Sequence, residues 1–531
     1  EQFINARFHY KKIEGILAYY FPESEIKLNG AAILESKGHM PNEMKYPTGF
    51  QILEALIYDE TINRQSIKNE ISNLLFSIKK VKSQTHEIQM QPSQIMDATK
   101  LNIYRLITKG IAGFDSPTIL YSIQEAKTTL EGTYDILQLL GSNNKEALIS
   151  IQQSIHYIDQ NYTDFDAFDR ATFIKDFLNP LCNALHEYYN KASIPFDTIY
   201  PKLVQANVPN LFSPNAFDIA FFAPSDQIAL NGQSIQLGRT LFNDTRLSIN
   251  NIRSCASCHE PSKAFTDGKP LNESIAGNKT LLRNTPSLYN TALQPNQFYD
   301  RRTVFLEDQI HDVVSNPDEM GGVFKQIIHQ IKEDKYYTTA FKKVFDDKKI
   351  SERNIKRAIA AYIRSLSSLN SPFDQYMRGN AQAMSAQQIK GFNLFMGKAK
   401  CGTCHFVPLF NGVLPPQFYK LESEIIGVPQ DAAMTKLDPD VGYFAIYGAA
   451  FQKFSFKTST IRNVSLTAPY MHNGVFKTLE EVLHFYNIGG GANLGFDLPY
   501  QTLPTDSLHL NTDESKAIIS FMEALVDTLK K

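Results

Sequence analysis

Residues 253–268 read RSCASCHEPSKAFTDG, and residues 400–412 read KCGTCHFVPLFNG. Each holds a Cys-x-x-Cys-His run: Cys255, Cys258 and His259 in the first, Cys401, Cys404 and His405 in the second. The spacing sets two thiols on successive faces of one turn, suited to two thioether bonds, with an imidazole beside them as an axial ligand. This is the attachment pattern of haem c. A zinc knuckle would need a second Cys or His pair close by, and neither run has a nearby Cys pair. Two covalently bound haem c groups are expected, with His259 and His405 on their irons. Haem c is attached outside the cytoplasm, so a bacterial periplasm is expected, with the chain free or lipid-anchored at the cell envelope.

Composition narrows the class further. At 531 residues the chain is long enough for several domains, and 43% hydrophobic with 20% charged residues is ordinary for a globular protein. A net charge of -2 argues against a nucleic-acid partner, which needs a basic face. No run of about 18 apolar residues predicts a transmembrane helix. Four of the five cysteines belong to the two runs, so no disulfide framework is expected. Cys182 follows a helical apolar rhythm and reads as a buried, inert thiol.

Periodicity predicts a mainly α fold: an N-terminal helical bundle followed by two cytochrome c-like haem domains with few short strands. Over 1–200, TINRQSIKNEISNLLFSIKKV puts Ile67, Ile71, Leu74, Leu75 and Ile78 at helical spacing, and ATFIKDFLNPLCNALHEYY does so for Phe173, Phe177, Leu181, Leu185 and Tyr188. Pro195, Pro201, Pro209, Pro214 and Pro224 mark a junction, with a linker at 201–225. Two units of shared layout follow, a first haem domain at 226–380 and a second at 381–531. Gly238, Leu241 and Phe242 precede the first run as Gly391, Leu394 and Phe395 precede the second. ERNIKRAIAAYIRSLSS predicts a strongly amphipathic helix between them, with Ile355, Ile359, Tyr362, Ile363 and Leu366 on one side. Residues 407–460 read as loops with short strands.

The segment LLRNTPSLYNTALQPNQFYDRRTVFLEDQIHDVVSNPDEMGG (281–322) and the later STIRNVSLTAPYMHNGVFKTLEEVLHFYN (459–487) carry a resemblance. In order and spacing, Arg283-Asn284-Thr285-Pro286, Tyr299, Gln309 and Glu319-Met320 resemble the bacterial di-haem cytochrome c peroxidase family, which includes MauG. The resemblance covers about 225–530. It implies hydrogen peroxide as substrate, Glu319 as the catalytic acid–base and Gln309 lining the pocket. A carboxylate can move a proton between the two peroxide oxygens, which gives Glu319 a chemical reason as well. It also implies a distal ligand on the second iron seventeen residues after Pro469, which is Tyr486; Met471 and His484 compete for that place. One calcium ion is implied between the haems, on Asn284, Thr467 and Pro469. Tyr299 stands where the family has a tryptophan for electron exchange.

In the peroxidases this chain resembles, a histidine between the first run and RN-S/T-P can close the first haem; that segment holds no histidine here, so the resemblance implies an open five-coordinate haem. Two donors fit the resemblance: a small redox protein, or a partner protein whose side chains are modified, as in MauG-like oxidases. A non-catalytic di-haem electron carrier is the reading from another class, and it requires both irons to be six-coordinate. In the N-terminal part, YPTGFQILEALIYDE (46–60) resembles the imelysin family's Gly-x-His-x-x-Glu signature through Gly49, Gln51 and Glu54. Gln51 stands where that signature has histidine, and the plain reading is a helix with Phe50, Leu53, Leu56 and Ile57 toward a core.

Overall fold

The structure, a computed structural model, describes residues 1–37, 40–141, 144–196 and 202–527; Pro201 lies outside them. The chain is mainly α, with two short antiparallel pairs: Glu35–Lys37 with Met40–Lys45, and Ser423–Glu424 with Phe456–Lys457. The second pair falls in the loop-rich region expected to hold short strands. The first interrupts a part read as wholly helical, in a polar stretch without the apolar alternation that signals a strand.

Two helix crossings repeat. Helix Gly232–Phe242 packs on Glu352–Arg364, and helix Ala386–Met396 packs on Thr512–Glu523. Each crossing is closed by a glycine. A Cβ on Gly238 would overlap the Ala358 carbonyl oxygen and meet Tyr362 Cβ at 2.8 Å; a Cβ on Gly391 would overlap the Ala517 carbonyl oxygen and meet Phe521 Cβ at 2.8 Å. The absence of a side chain lets two helical backbones touch, and the residues around each contact fill the core. Leu237, Leu241 and Phe242 are buried with Ile355, Ile359, Tyr362, Ile363 and Leu366. In the second crossing Phe392 and Phe395 each stand 5.3 Å from the Phe521 ring.

The N-terminal helices form where expected, with two departures. In helix Arg64–Thr85 only Leu74 of the predicted stripe is buried; Ile71, Leu75 and Ile78 are exposed, because this helix packs on Pro22–Asn29 and Phe50–Tyr58 along one narrow strip. The stretch around Phe173 and Leu181 is broken into a π turn at Phe173–Leu178 before helix Asn179–Lys191. Pro180 has no N–H to donate, so the hydrogen-bond ladder is re-registered ahead of it. Cys182 is fully buried in this helix, as expected.

Burial divides the chain unevenly. The core of the first repeated unit draws on residues 237–366 alone. A second core runs without a break from Met96 through Phe217 into Phe373 and Leu525. The proline-rich stretch is part of it: Leu203, Leu211, Phe212 and Phe217 are buried, and Arg378 Nε donates to the Phe212 carbonyl at 2.6 Å. The helices from Met96 onward and the second repeated unit therefore share one core, while Tyr10, Leu17, Phe21, Leu28, Phe50, Leu53, Leu74 and Val81 form a third cluster.

The crossing glycines give a direct test of the fold. Gly391→Ala should destabilise the holoprotein by about 1–3 kcal/mol through overpacking, read as a lowered thermal midpoint; an unchanged midpoint would contradict the contact.

Candidate active site

Both Cys-x-x-Cys-His runs begin as a single 3-10 turn, Cys255–Ser257 and Cys401–Thr403. A short antiparallel bridge then folds the chain back, Glu260 to Thr266 and Phe406 to Asn411. The fold-back brings a carbonyl to each imidazole: His259 Nδ1 pairs with Phe265 O at 2.9 Å, and His405 Nδ1 with Phe410 O at 3.2 Å. A carbonyl can only accept, so Nδ1 carries the proton and Nε2 the lone pair, the form that binds a metal. Burial lowers both imidazole pKa values, which keeps the rings neutral. Burial pushes the Cys255 and Cys401 thiols up to about 12, and none of the four motif cysteines is in a disulfide. Neutral thiols beside a pre-oriented neutral imidazole fit thioether-bound haem at both runs.

Glu319 sits on the turn after helix Leu306–Ser315. Its carbonyl accepts from Arg253 NH1 at 2.9 Å, which ties it to the residue two before Cys255. Its Oε1 accepts from Asn316 Nδ2 at 2.8 Å. Burial raises its carboxyl pKa against the opposing pull of Asn316, Arg302 and Arg253, and its charge is felt at Cys258. The neighbouring Met320 is buried in the core, so the turn is anchored by Met320 and offers Glu319. Gln309 lies half-buried in the same helix. That helix is fixed from behind by a buried pair, Arg364 with Glu307 at 2.7 Å.

In the second unit Tyr486 lies on helix Leu479–Asn487, between buried Phe485 and the helix end. Burial raises its phenol pKa, and the next causes are Cys404, Cys401 and Glu424, so the ring belongs to the second run. His484 is exposed on the same helix, and Met471 is in the turn before it at φ 72°. Glu422 and Glu424 are buried nearby; burial and the adjacent Glu424 push Glu422 up to about 7, while Lys109 pulls it back.

The two units are joined through Tyr299 and Asn284. Tyr299 O accepts from Lys457 N at 2.8 Å, while burial raises its phenol pKa. Arg283 bridges Asp300 at 2.5 Å and Asp440 at 2.6 Å, clamping the first unit to the second. Asn284 N donates to His472 O at 2.7 Å, and its Nδ2 donates to the Lys269 carbonyl at 2.7 Å. Nδ2 is thereby spent, and Oδ1 is the acceptor left over. Thr467 follows a 3-10 turn at Val464–Leu466, and Pro469 follows it. Among the described residues no three His, Cys, Asp or Glu side chains are grouped to hold a metal ion. The expected calcium set is of a different kind, one amide and two carbonyl oxygens.

The N-terminal signature has another use. Glu54 is fully buried, and its Oε1 accepts from Ser116 Oγ at 3.2 Å, Thr118 N at 2.9 Å and Ile119 N at 2.8 Å. Gln51 Nε2 donates to Asn29 O at 3.4 Å. These residues hold loops.

Several supporting residues were not legible as such. Arg253 and Asn316 hold Glu319. Asp267 accepts from Asn272 Nδ2 and Thr285 Oγ1 at 2.8 Å each, and Asn272 reaches Cys258 Sγ at 3.3 Å. Arg462 is wholly buried, paired with Asp374 at 2.7 Å and Asp527 at 3.2 Å, and it donates to the Pro408 carbonyl three residues beyond His405. Polar residues buried by partners distant in sequence leave no periodic signal.

Comparison with known proteins now decides the family. Residues 232–382 match the family model described as di-haem cytochrome c peroxidase. The chain is 31% identical over 313 residues to the cytochrome-c peroxidase IdrP2 of Denitromonas iodatirespirans, covering 56% of this chain and 82% of the relative. It is 30% identical to the methylamine utilization protein MauG of Methylorubrum extorquens, covering 56% of this chain and 79% of that protein. A crystal structure of a MauG-like protein associated with microbial copper homeostasis superposes with a TM-score of 0.52 at 28% identity, covering 63% of this chain and 96% of that one.

This chain belongs to the di-haem cytochrome c peroxidase family. It is a di-haem peroxidase, an oxidoreductase whose cofactors are two haem c groups. No helix among the described residues is long and apolar enough to cross a membrane.

The second run depends on its neighbours for shape, and Arg462, bonded to the Pro408 carbonyl, is a central support. Arg462→Met strands Asp374 and Asp527 as unpaired buried carboxylates and should cost about 3–5 kcal/mol. Denaturant unfolding of the holoprotein measures it; a loss below about 1 kcal/mol would contradict the pairing.

Proposed function

We propose that the first unit, 226–380, is the peroxidatic haem domain and the second, 381–531, a cytochrome c-like electron-transfer domain with Tyr486 as its distal ligand. Residues 1–200 form the added helical domain. When bound, the haems supply the metal at which the O–O bond is reduced and the path by which electrons reach it. The chain's own residues supply the proton chemistry. Glu319 takes a proton from the incoming peroxide and returns it to the departing oxygen, and Gln309 orients the peroxide by hydrogen bonding. The observation that carries this reading is Glu319, raised in pKa by burial and tied through Arg253 to the first run.

Asn284, Thr467 and Pro469 are proposed to hold calcium where the two units meet; the Nδ2 bonds of Asn284 support this by leaving Oδ1 for a cation. Tyr299 is proposed as the relay between the units. Oxidising a tyrosine couples to loss of its proton, a coupling that a tryptophan does not require. The electron donor in this reading is a small redox protein, and the location is a bacterial periplasm or its envelope face. A MauG-like oxidase acting on a partner's side chains is the second reading. It is favoured by a phenol facing Cys404, since an anionic oxygen ligand stabilises the oxidised metal.

Glu319→Gln should slow the reaction with peroxide by about 10²–10⁴-fold. The sign with pH follows from the raised carboxyl: the base form is lost as pH falls through that pKa, so the acid limb of the native profile lies above the ordinary carboxylate range. The variant should lack this limb, and a variant with an unchanged profile would remove Glu319 from the mechanism. For Tyr299, electron exchange between the units should quicken with rising pH in the native chain and be flat with pH in Tyr299→Trp. Pulse reduction with haem-resolved spectroscopy reads both, and matching rates at every pH would refute the relay.

A further inference from the structure

The two runs differ in what lies against them. The first belongs to a core built from its own unit, and Ser257 in its middle is exposed. The second is pressed by the N-terminal region. A Cβ on Gly402, the residue between Cys401 and Thr403, would lie 3.5 Å from the Ala112 methyl. Phe114 meets Phe406, the residue after His405, edge-on at 5.8 Å. Lys109 lies over the Phe114 ring at 4.4 Å. Arg170 Nε donates to the Ile111 carbonyl at 2.7 Å, and a Cβ on Gly397 would reach Arg170 NH1 at 2.9 Å. Asn393 in the helix before the run accepts from Ala171 N at 2.9 Å and donates to Asp169 at 2.8 Å.

The pressing segment, 110–119, is held firmly from behind. Asp115 takes Lys11 at 2.7 Å and Arg105 at 2.6 Å, and Glu54 binds the 116–119 backbone. The contact is therefore part of the folded body. The 96% coverage of the MauG-like neighbour by 63% of this chain leaves room for an N-terminal addition of this size.

We propose that the N-terminal helical region is a resident cover over the thioether edge of the second haem-binding run, filling the face a soluble redox protein would need there. A protein donor, the small redox protein proposed above included, is thereby admitted to the second run only when the cover opens, while a small-molecule reductant is not held back in this way. This rests on the electron-transfer role proposed above for that unit.

The test compares two reductants of matched potential on the full holoprotein in stopped flow: a phenylenediamine dye and a reduced single-haem c-type cytochrome. The dye should reduce the second haem at least about 100-fold faster than the cytochrome, because protein docking at an open face ordinarily runs at about 10⁵–10⁷ M⁻¹s⁻¹ and here needs the cover to open. Asn393→Ala, Gln417→Ala and Lys420→Ala remove bonds from the second unit to Ala171 and Asp169, to Ala18 and to Glu35. Each of the three substitutions, at the net worth of one ordinary hydrogen bond, raises the open population about fivefold. The triple variant should speed the cytochrome about 100-fold and leave the dye unchanged, and Asn393→Ala alone should give about fivefold. Hydrogen exchange across 109–114 and 401–406 should rise in step, independently of turnover. Cytochrome and dye rates within tenfold in the native chain would overturn the cover, as would a slow cytochrome rate that no variant moves. A second haem that even the dye leaves oxidised overturns the electron-transfer role instead, which is a separate result.

Discussion

The close approach of two helical backbones at Gly238 and at Gly391 is the constraint on which the rest of the molecule depends. A glycine that touches a carbonyl oxygen across a helix crossing fixes both the angle and the distance of the pair. With the pair fixed, the chain leaves the first crossing through two short 3-10 turns, Thr245–Leu247 and Ile249–Asn251, and the second through residues 397–400, and each run then opens on a 3-10 turn of its own. The fold-back then delivers a backbone carbonyl to each histidine. Ligand orientation thus descends from helix packing, which is why the same layout recurs twice with different side chains around it.

Duplication supplies two similar sites, and their surroundings make them unequal. Beside the first run stands a turn on which Met320 is sunk and Glu319 is tied by its carbonyl to Arg253. The second faces Tyr486, a phenol on a helix packed by Leu483 and Phe485. One environment presents a carboxyl raised by burial and the other a phenol raised by burial, although the helix pairs and runs that carry them are alike. Arg283, bridging Asp300 and Asp440, keeps these unlike sites in register, with Tyr299 in the segment between.

What the sequence made legible follows the same physics. Covalent attachment requires adjacent cysteines and a histidine, so both runs could be read directly. The amphipathic helix Glu352–Arg364 was legible because one face is buried along its whole length. Helix Arg64–Thr85 misled, since its apolar positions continue past the strip its neighbours cover. The shared core of the N-terminal region and the second unit was not legible. It is built from residues hundreds of positions apart, such as Ala171 and Asn393, and a proline-rich stretch reads as a junction whether or not it is packed. The buried ions Arg462, Asp374 and Asp527 were equally silent, because a charge carries no mark of burial until its partners are known.

The buried charges of the N-terminal region can be understood in the same way. Burial alone would raise the Asp115 carboxyl, yet Arg105 and Lys11 hold it well below the usual carboxylate range. Arg7 reaches Glu125 and the Asp115 carbonyl, so helices Gln2–Tyr20 and Pro92–Thr108 meet at Asp115 and helix Ser122–Leu139 is tied to them through Arg7. Ion pairs of this kind add little net stability once desolvation is counted. Their effect is geometric: an arginine fork satisfied by one carboxylate tolerates no sliding of the helices that carry it. The residue so fixed is the one after Phe114, and Phe114 is the ring set against Phe406 beside His405. An apolar contact alone would let that segment shift by fractions of an ångström. Locked to the charge cluster on one side and to Glu54 on the other, it keeps a single position over the second run.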